Sequence, residues 1–263
     1  VRRLMKHTNF RYNIILWMVF VHVAALVSLP FVSPTNLVAL AVLYPVTAIG
    51  VTLGYHRMMS HKAFKAPKWL ERTLMTIATL SVQGGPIEWV GLHRHHHLYS
   101  DQESDHHNSR KGLWWSHMGW MFYHVPAMAE VPNLTKDMQK DPYYVWLERN
   151  FMVPTLVFGA LCYWLGGWSL VGWGIFVRLV VVYHVTWLVN SATHTWGYRR
   201  YETTDNSRNN WWVGLLAFGE GWHNNHHAHQ AKAFHGEKWW EIDVTGYIIR
   251  LLSSMKLISN VKA

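Results

Sequence analysis

Four stretches of this sequence are apolar over nearly the length that a helix needs to cross a membrane. A hydrocarbon core about 30 Å thick requires roughly 20 apolar residues in helical conformation. The four stretches cover residues 14–32, 37–55, 151–165 and 170–190, and the third is the shortest. Lipid offers the backbone no hydrogen-bond partners, so continuous stretches of this length favour helices. The sequence therefore predicts an all-α integral membrane protein with four transmembrane helices.

A fifth apolar segment, residues 74–90, differs from these four. It is interrupted by Gly84, Gly85 and Pro86, and it also contains Gln83 and Glu88. Proline interrupts a helix, and polar side chains are costly in lipid. We therefore interpret this segment as an interfacial or partly buried helix.

The basic residues predict which side of the membrane the loops occupy. The short connectors 33–36 and 166–169 contain no Lys or Arg, whereas basic residues flank the first two spans: Arg2, Arg3, Lys6, Arg11, Arg57, Lys62, Lys65, Lys68 and Arg72. By the positive-inside rule, both termini and the long loops face the cytoplasm. The formal charge of +9 does not indicate nucleic acid, because the basic residues form no continuous stripe. We expect one domain over residues 1–263, with a cytoplasmic helical cap from 56–150 and 191–263.

Metal chemistry is restricted by the amino acids available. The chain has 19 histidines and a single cysteine, Cys162. One cysteine can form neither an internal disulfide, nor a cysteine-based zinc site, nor an iron–sulfur cluster. A metal ion in this chain must therefore be held by histidine or carboxylate.

Histidines cluster on the predicted cytoplasmic side with spacings that suit a helix face. Residues that are three or four positions apart share such a face. Asn190 and His194, which are four positions apart, form such a pair at the end of the fourth span. The candidate ligands are His56, His61, His93, His96, His97, His194, His223, His226 and His227, with Asn190 holding a metal-bound water. Nine imidazoles oversupply a single zinc ion, so we predict two ions of redox-active iron. Carboxylates that orient the rings are expected among Glu88, Asp101, Asp105 and Glu220.

The motifs H-x4-H, H-x2-HH, N-x3-H and H-x2-HH occur here in this order. Together with residues 54–57, 105–112 and 219–227, they make the chain resemble the membrane fatty acyl desaturases. The similarity is to the Δ9 branch, which includes stearoyl-CoA desaturase and the acyl-lipid enzymes of cyanobacteria and plants. This resemblance implies a four-helix bundle with a cytoplasmic cap and a di-iron centre. It also implies dioxygen as co-substrate and two electrons from an outside donor.

One departure from the family pattern concerns the substrate carrier. The acyl-CoA members have an Arg-Asp pair before the second histidine box, and here those positions are Gly91 and Leu92. We therefore expect an acyl chain esterified to a membrane glycerolipid, in the plasma or thylakoid membrane of a bacterium or cyanobacterium; an acyl-CoA substrate stays an alternative. No appended haem domain is recognisable, so the resemblance implies ferredoxin or a similar electron donor. Polar headgroup contacts are expected from His107, Asn108, Arg110 and Lys111.

The resemblance also implies an acyl tunnel. Tyr44 and Ala48 match the family positions that limit its depth, and Thr186 and Trp187 are expected to line it near its bend. The small side chain of Ala48, with the bulky Tyr44 behind it in the tunnel, suits an acyl chain of stearoyl length that is desaturated at Δ9. Surface or packing roles are expected for the remaining histidines: His7, His22, His95, His106, His117, His124, His184, His229 and His235.

Two other classes of function remain open at this point. A related di-iron membrane hydroxylase or alkane monooxygenase would use the same centre to add oxygen to carbon. A metal transporter or sensor would use histidine clusters without redox chemistry, but transport sites usually lie at the membrane midplane. Arg178 fits none of these functions directly; it either extends to the interface or pairs with a polar neighbour.

Overall fold

The computed structural model describes residues 10–263, so Arg2, Arg3, Lys6 and His7 lie outside the described residues. The described part is mostly helical and contains no β-strand beyond isolated bridges. Its helices are Tyr12–Ser28 (α1), Pro34–Ile49 (α2), Lys68–Thr79 (α3), Pro86–Tyr99 (α4), Leu113–His117 (α5), Ala127–Leu134 (α6), Pro142–Arg149 (α7), Val153–Val171 (α8), Arg178–Ser191 (α9), Trp211–Leu216 (α10), His223–Ala228 (α11) and Val244–Ser254 (α12). Wider π turns extend α2 over Gly50–Ser60 and join α8 to α9 over Gly172–Val177. Short 3-10 turns occupy Leu29–Phe31, Ser109–Lys111, Gly119–Phe122 and Ala192–His194.

Three helical stretches of the described chain are long and apolar enough to cross a membrane. They are Tyr12–Phe31, Pro34–Ser60 and Val153–His194. The last has 42 residues, which as one straight helix would be about 63 Å long, twice the thickness of the hydrocarbon core. Its backbone is not helical at Gly166 and Gly167, inside the predicted connector 166–169. The chain is thus a membrane protein with a break in its longest apolar stretch.

Asn36 connects the two uncharged connectors. Its side chain is buried, and its amide donates hydrogen bonds to the Phe31 carbonyl and the Ser169 hydroxyl, each at 2.7 Å. Ser169 follows the break at Gly166 and Gly167. The turn after α1 and the turn within the Val153–His194 stretch therefore lie side by side, at the ends of the helices that are remote from the histidine clusters.

The fifth apolar segment folds as a helical hairpin rather than a single helix. A Cβ atom on Gly50 would lie 2.9 Å from the Ala78 backbone nitrogen, and one on Gly54 would lie 3.1 Å from the Leu74 carbonyl. Glycine at these two positions lets α3 pack directly on the end of α2 and run antiparallel to it. Helix α4 then returns toward the histidine clusters, so the hairpin turn reaches into the helical bundle.

Arg178 holds the turn of this hairpin. Its side chain is fully buried, and its guanidinium donates hydrogen bonds to the carbonyls of Gly174 (2.7 Å) and Leu80 (3.0 Å) and to the Thr47 hydroxyl (2.6 Å). Leu80 follows the last residue of α3, where carbonyl groups lack helical partners. Of the two interpretations of Arg178 from the sequence, pairing with polar neighbours is the observed one.

Three histidines outside the predicted ligands link α1, α5 and α9 through a chain of hydrogen bonds. His22 Nδ1 lies 2.7 Å from the Met18 carbonyl, which can only accept, so His22 carries its proton there. His22 Nε2 then accepts from His184 at 3.1 Å, and His184 Nδ1 accepts from His117 at 3.0 Å. His117 Nδ1 lies 2.9 Å from the hydroxyl oxygen of Ser191, which donates its own proton to the Trp187 carbonyl. These three histidines therefore have the packing role that was expected of them, because they link three helices.

Replacing Arg178 with Met is expected to destabilise the bundle, because the Leu80 carbonyl loses its donor in a place that water does not reach. We expect the apparent melting temperature in detergent to fall by roughly 5 °C or more. The exposed Arg72, which makes an ion pair with Asp141, provides the control, since surface ion pairs contribute little. Equal melting temperatures for Arg178→Met and Arg72→Met would contradict the anchoring role.

Candidate metal centre

Four separate segments bring the predicted histidines together. His56 and His61 lie on the π-helical end of α2, where the His61 amide donates to the His56 carbonyl at 3.2 Å. A π turn places residues five apart above one another, and this explains the five-residue spacing of the first pair. Helix α4 carries the second histidine cluster (His93, His96 and His97), and α11 carries the third (His223, His226 and His227). His194 lies on the short turn that follows α9.

The nine predicted histidines fall into two groups. In each group the potential ligand atoms lie within 4.8 Å of one another. One group contains His56, His61, His93, His97 and His226, and the other contains His96, His194, His223 and His227. The second and third clusters were expected to point three rings together, but each divides its rings between the two groups. The pairs four residues apart stay together, and the third ring of each cluster joins the opposite group, so α4 and α11 both connect the two groups.

Carboxylates fix the orientation of four of the rings. Asp101, Asp105 and Asp205 each accept a hydrogen bond from a histidine Nδ1, which leaves the Nε2 lone pair of that ring directed away from the carboxylate. Glu220 Oε2 lies within ion-pair distance of His56 Nδ1. The pairs are His56–Glu220 (2.7 Å), His96–Asp105 (3.0 Å), His194–Asp101 (2.8 Å) and His227–Asp205 (2.6 Å). In His96, His194 and His227, Nε2 is therefore a base that faces the interior of its group.

The Nε2 atoms of the two groups converge at close range. His226 Nε2 lies 3.1 Å from His56 Nε2 and 3.0 Å from His97 Nε2, and His194 Nε2 lies 3.1 Å from His223 Nε2. The buried Nε2 atoms of His96 and His227 have no hydrogen-bond partner. Inward lone pairs with no proton between them repel one another unless a cation lies among them. The all-imidazole donor set fits iron, zinc, copper or nickel.

Burial keeps most of these rings neutral, as a ligand must be. It lowers the pKa well below its usual value in His61, His93, His97, His223 and His226. Burial also lowers the pKa of His227, to about 4. His96 differs, because the Asp105 carboxylate outweighs the effect of burial and raises its pKa.

The carboxylates beside the rings are ionised. Burial by itself raises the pKa of Asp101, Asp105 and Asp205, but the adjacent histidines outweigh it and hold each pKa well below its usual range. Burial also raises the pKa of Glu220, and the charge of Arg57 outweighs it. The two groups of rings are therefore surrounded by negative charge, which favours a bound cation over an empty site.

Arg57 organises a network that the sequence did not reveal. Its fully buried guanidinium donates to Glu220 Oε1 at 3.0 Å and to Asp243 Oδ1 at 2.8 Å. Glu220 also approaches His235, with Oε2 3.2 Å from Nδ1, and His235 lies on the His226 ring at 4.4 Å between centroids. His235 was assigned to surface or packing, and its burial against the five-ring group shows a closer association.

Three of the four carboxylates expected beside the rings contact histidines: Asp101, Asp105 and Glu220. Glu88 does not; it lies 3.6 Å from Arg11 at the end of α1. The sequence analysis missed Asp205, which contacts His227. Nothing near Asp205 in the sequence marks it as a partner, because it lies in a loop far from each histidine box.

Two cavities adjoin the rings, and the four predicted tunnel residues line them. Tyr44, Ala48 and Thr186 line the cavity on one side, together with His56, His93 and Asn190. Thr186 and Trp187 line a larger cavity of about 450 Å³, which extends from Arg11 and Trp17 to Asn190. Asn190 therefore lies between the two cavities and beside the rings. Both are largely apolar, as an acyl chain requires.

The four predicted headgroup residues have different surroundings. His107 lines the larger cavity, and its ring lies 4.1 Å from the His96 ring between centroids. Asn108 is buried and donates to the Gln102 carbonyl at 2.6 Å. Arg110 and Lys111 are exposed beyond the cavity lining. Of the four, only His107 faces the cavity.

Comparison with known proteins identifies the family. The profile described as Fatty acid desaturase matches residues 33–236. A protein named sn-1 stearoyl-lipid 9-desaturase, from Anabaena variabilis, is 54% identical over 225 residues, which cover 86% of this chain and 83% of that protein. A Synechocystis protein of the same name is 50% identical, with 95% and 80% covered. A Nostoc protein named sn-2 palmitoyl-lipid 9-desaturase is 45% identical, with 95% and 89% covered. The chain therefore belongs to the fatty acid desaturase family and is an oxidoreductase of that family.

Proposed function

We propose that this chain is an oxygen-dependent di-iron desaturase that introduces a cis double bond at Δ9 into a saturated acyl chain of a membrane glycerolipid. The observation that carries the proposal is the convergence of nine imidazoles beside a largely apolar cavity. The relatives named stearoyl-lipid and palmitoyl-lipid 9-desaturases support this substrate class and position.

In this proposal, each group of rings holds one iron ion. Five rings complete one site: His56, His61, His93, His97 and His226. Four rings and a water held by Asn190 complete the other: His96, His194, His223 and His227. When bound, the two ions would supply the redox chemistry by which dioxygen, two electrons and two protons take two hydrogens from a methylene pair and become two water molecules.

The chain's own side chains position the acyl group. Trp89 and Thr186 line both cavities, and Gln83 connects them: the Trp89 indole donates to the Gln83 carbonyl oxygen at 3.2 Å, and the Gln83 amide donates to the Thr186 hydroxyl at 3.0 Å. These two hydrogen bonds pair the polar groups of the cavity wall with one another. The acyl chain is then left with apolar contacts that exclude water and hold one methylene pair near the rings.

Close packing at Gly91 supports a lipid carrier rather than acyl-CoA. A Cβ atom there would lie 2.7 Å from Val131 Cγ1 on α6, so the position has no room for the arginine of the acyl-CoA members. Leu92 is buried as well.

The electrons come from ferredoxin or a similar donor at the basic cytoplasmic face.

The proposed topology has four spans and a cytoplasmic active site, in the plasma or thylakoid membrane of a bacterium or cyanobacterium. The helical break at Gly166 and Gly167 divides the Val153–His194 stretch into two spans. The contact between Asn36 and Ser169 supports placing both uncharged connectors on the side opposite the rings. Basic residues beside the first two spans support a cytoplasmic position for the rings.

The direct test is incubation of anaerobically purified protein with reduced ferredoxin, air and labelled stearoyl substrate, presented either as glycerolipid or as acyl-CoA. We expect mass spectrometry to show the loss of two hydrogens from the lipid-bound chain. Cleavage at the new double bond then gives its position. An added oxygen atom would identify a hydroxylase instead, and conversion of acyl-CoA alone would contradict the proposed carrier.

Removal of one ligand from each group tests the metal assignment. We expect the purified wild-type protein to contain two iron ions per chain. His97→Ala and His223→Ala should each lower this content by at least about half, because each removes an imidazole from a different group. His95→Ala is the control on the same helix, since its ring joins neither group. Retention of both ions by His97→Ala and His223→Ala would contradict the assignment, provided that both variants stay monodisperse.

Enlarging the tunnel wall should change chain-length preference. Ala48→Phe is expected to lower stearoyl conversion at least about tenfold, equivalent to about 1.4 kcal/mol, while shorter chains are retained. Val42→Phe is the matched control, because Val42 faces outward on the same helix. Gas chromatography of the products measures both effects, and an unchanged profile for Ala48→Phe would remove Ala48 from the tunnel.

A further inference from the structure

The segment that precedes the third histidine cluster has an unusually apolar surface for part of a cytoplasmic cap. Residues 211–219 read WWVGLLAFG and contain no charged side chain. Three large apolar side chains are exposed on this segment: Trp211 at 63%, Leu215 at 46% and Leu216 at 44%. Adjacent exposed groups of this size mark a surface that contacts something other than water.

A contact with α2 gives the depth of this segment. The Tyr44 hydroxyl donates to the Leu216 carbonyl at 2.5 Å, and the Tyr44 ring lies 5.6 Å from the Phe218 ring between centroids. Tyr44 precedes His56 by twelve residues on a stretch, Pro34–Ser60, that is apolar enough to cross a membrane. At the α-helical rise, Tyr44 lies at most roughly 18 Å along the helix from His56, toward the membrane interior. The end of α10 reaches the same depth.

Helix α9 gives a second, independent estimate of depth. Val213 and Ala217 pack in one apolar cluster with Val185 and Val189. This cluster extends from Ala192, two residues before His194, along α9 to Val185, nine residues before it, which is roughly 13 Å along the helix. Both neighbouring helices therefore place α10 below the rings, on the side toward the membrane interior.

The backbone of this segment also meets the requirement that lipid imposes, because unpaired amides and carbonyls are costly there. The Asn210 side chain accepts from the Val213 amide at 3.2 Å and begins α10. The amides of Ala217 and Gly219 donate to the carbonyls of Val213 and Gly214, at 2.7 and 2.8 Å. At the tip, the Leu216 carbonyl accepts from Tyr44.

We propose that residues 211–218 form a re-entrant hairpin whose exposed face, Trp211, Leu215 and Leu216, contacts the acyl chains of the bilayer. This differs from the expectation that residues 191–263 lie wholly in the cytoplasm. The occupant is lipid because the face continues the exposed apolar surface of α2 at Val42 and Val46. The inference rests on α2 crossing the membrane and is independent of the reaction.

The hairpin also separates the acyl cavity from the surrounding lipid. Ala217 lines the cavity whose wall includes Tyr44 and Ala48, while its neighbour Leu216 faces outward. The contact between Tyr44 and Leu216 therefore closes the gap between the cavity and the surrounding lipid. The depth of the cavity is determined by a segment anchored in the membrane rather than by a cytoplasmic loop.

Spin labels on single cysteines test the proposal. Cys162 is the only cysteine, so the Cys162→Ser protein serves as the background for Leu215→Cys, reconstituted in liposomes of phosphatidylcholine and phosphatidylglycerol. We expect the label at 215 to be more accessible to oxygen than to a water-soluble nickel chelate, as at Val42→Cys in α2. Trp239→Cys is the aqueous control, because Trp239 is 92% exposed and distant from α2 in sequence.

Two outcomes would overturn the proposal. Greater accessibility to the nickel chelate at 215 would place the hairpin in water. Shielding from both reagents, with dipolar broadening between labels of different molecules, would identify a second copy of this chain as the occupant. Neither outcome depends on catalytic turnover, so a failure of this proposal can be distinguished from a failure of the desaturase assignment.

Discussion

The structure depends on the contacts between buried carboxylates and histidine Nδ1 atoms. Asp101, Asp105 and Asp205 each fix one ring by a hydrogen bond and leave a lone pair directed into a group of converging rings, and Glu220 forms an ion pair with His56. Such a group is electrostatically unfavourable without a cation and favourable with one. A metal ion bound in the proposed centre would therefore stabilise the fold around it, because the same carboxylates that hold the rings in the fold also orient them as ligands.

The membrane helices place this centre at the end of the bundle. The π-helical end of α2 and the turn after α9 continue two long apolar stretches directly into the two groups of rings, so the rings and the adjoining apolar cavities share the same supports. The α3–α4 hairpin, held by Arg178, brings the second histidine cluster back to the same level. Sites on such elements are positioned more accurately than sites on free loops.

Much of this could be predicted from the sequence, because helical spacing and apolar length are local properties. The nine histidines selected by spacing are the nine that the structure gathers into the two groups. The division of each cluster between the groups could not be predicted, since it depends on how α4 and α11 face each other. Asp205, His235 and the Arg57 network were missed for the same reason: their partners are distant in sequence. Glu88 was selected for its proximity to a cluster and pairs elsewhere.

The proposed centre requires two ions that are held by imidazole nitrogen, with the carboxylates on the opposite side of the rings. X-ray absorption spectroscopy of the anaerobically purified protein at the iron edge measures this directly. The structure predicts nitrogen neighbours with the multiple-scattering pattern of imidazole at both ions. A spectrum dominated by bridging carboxylate oxygen, or by a single iron ion per chain, would contradict it.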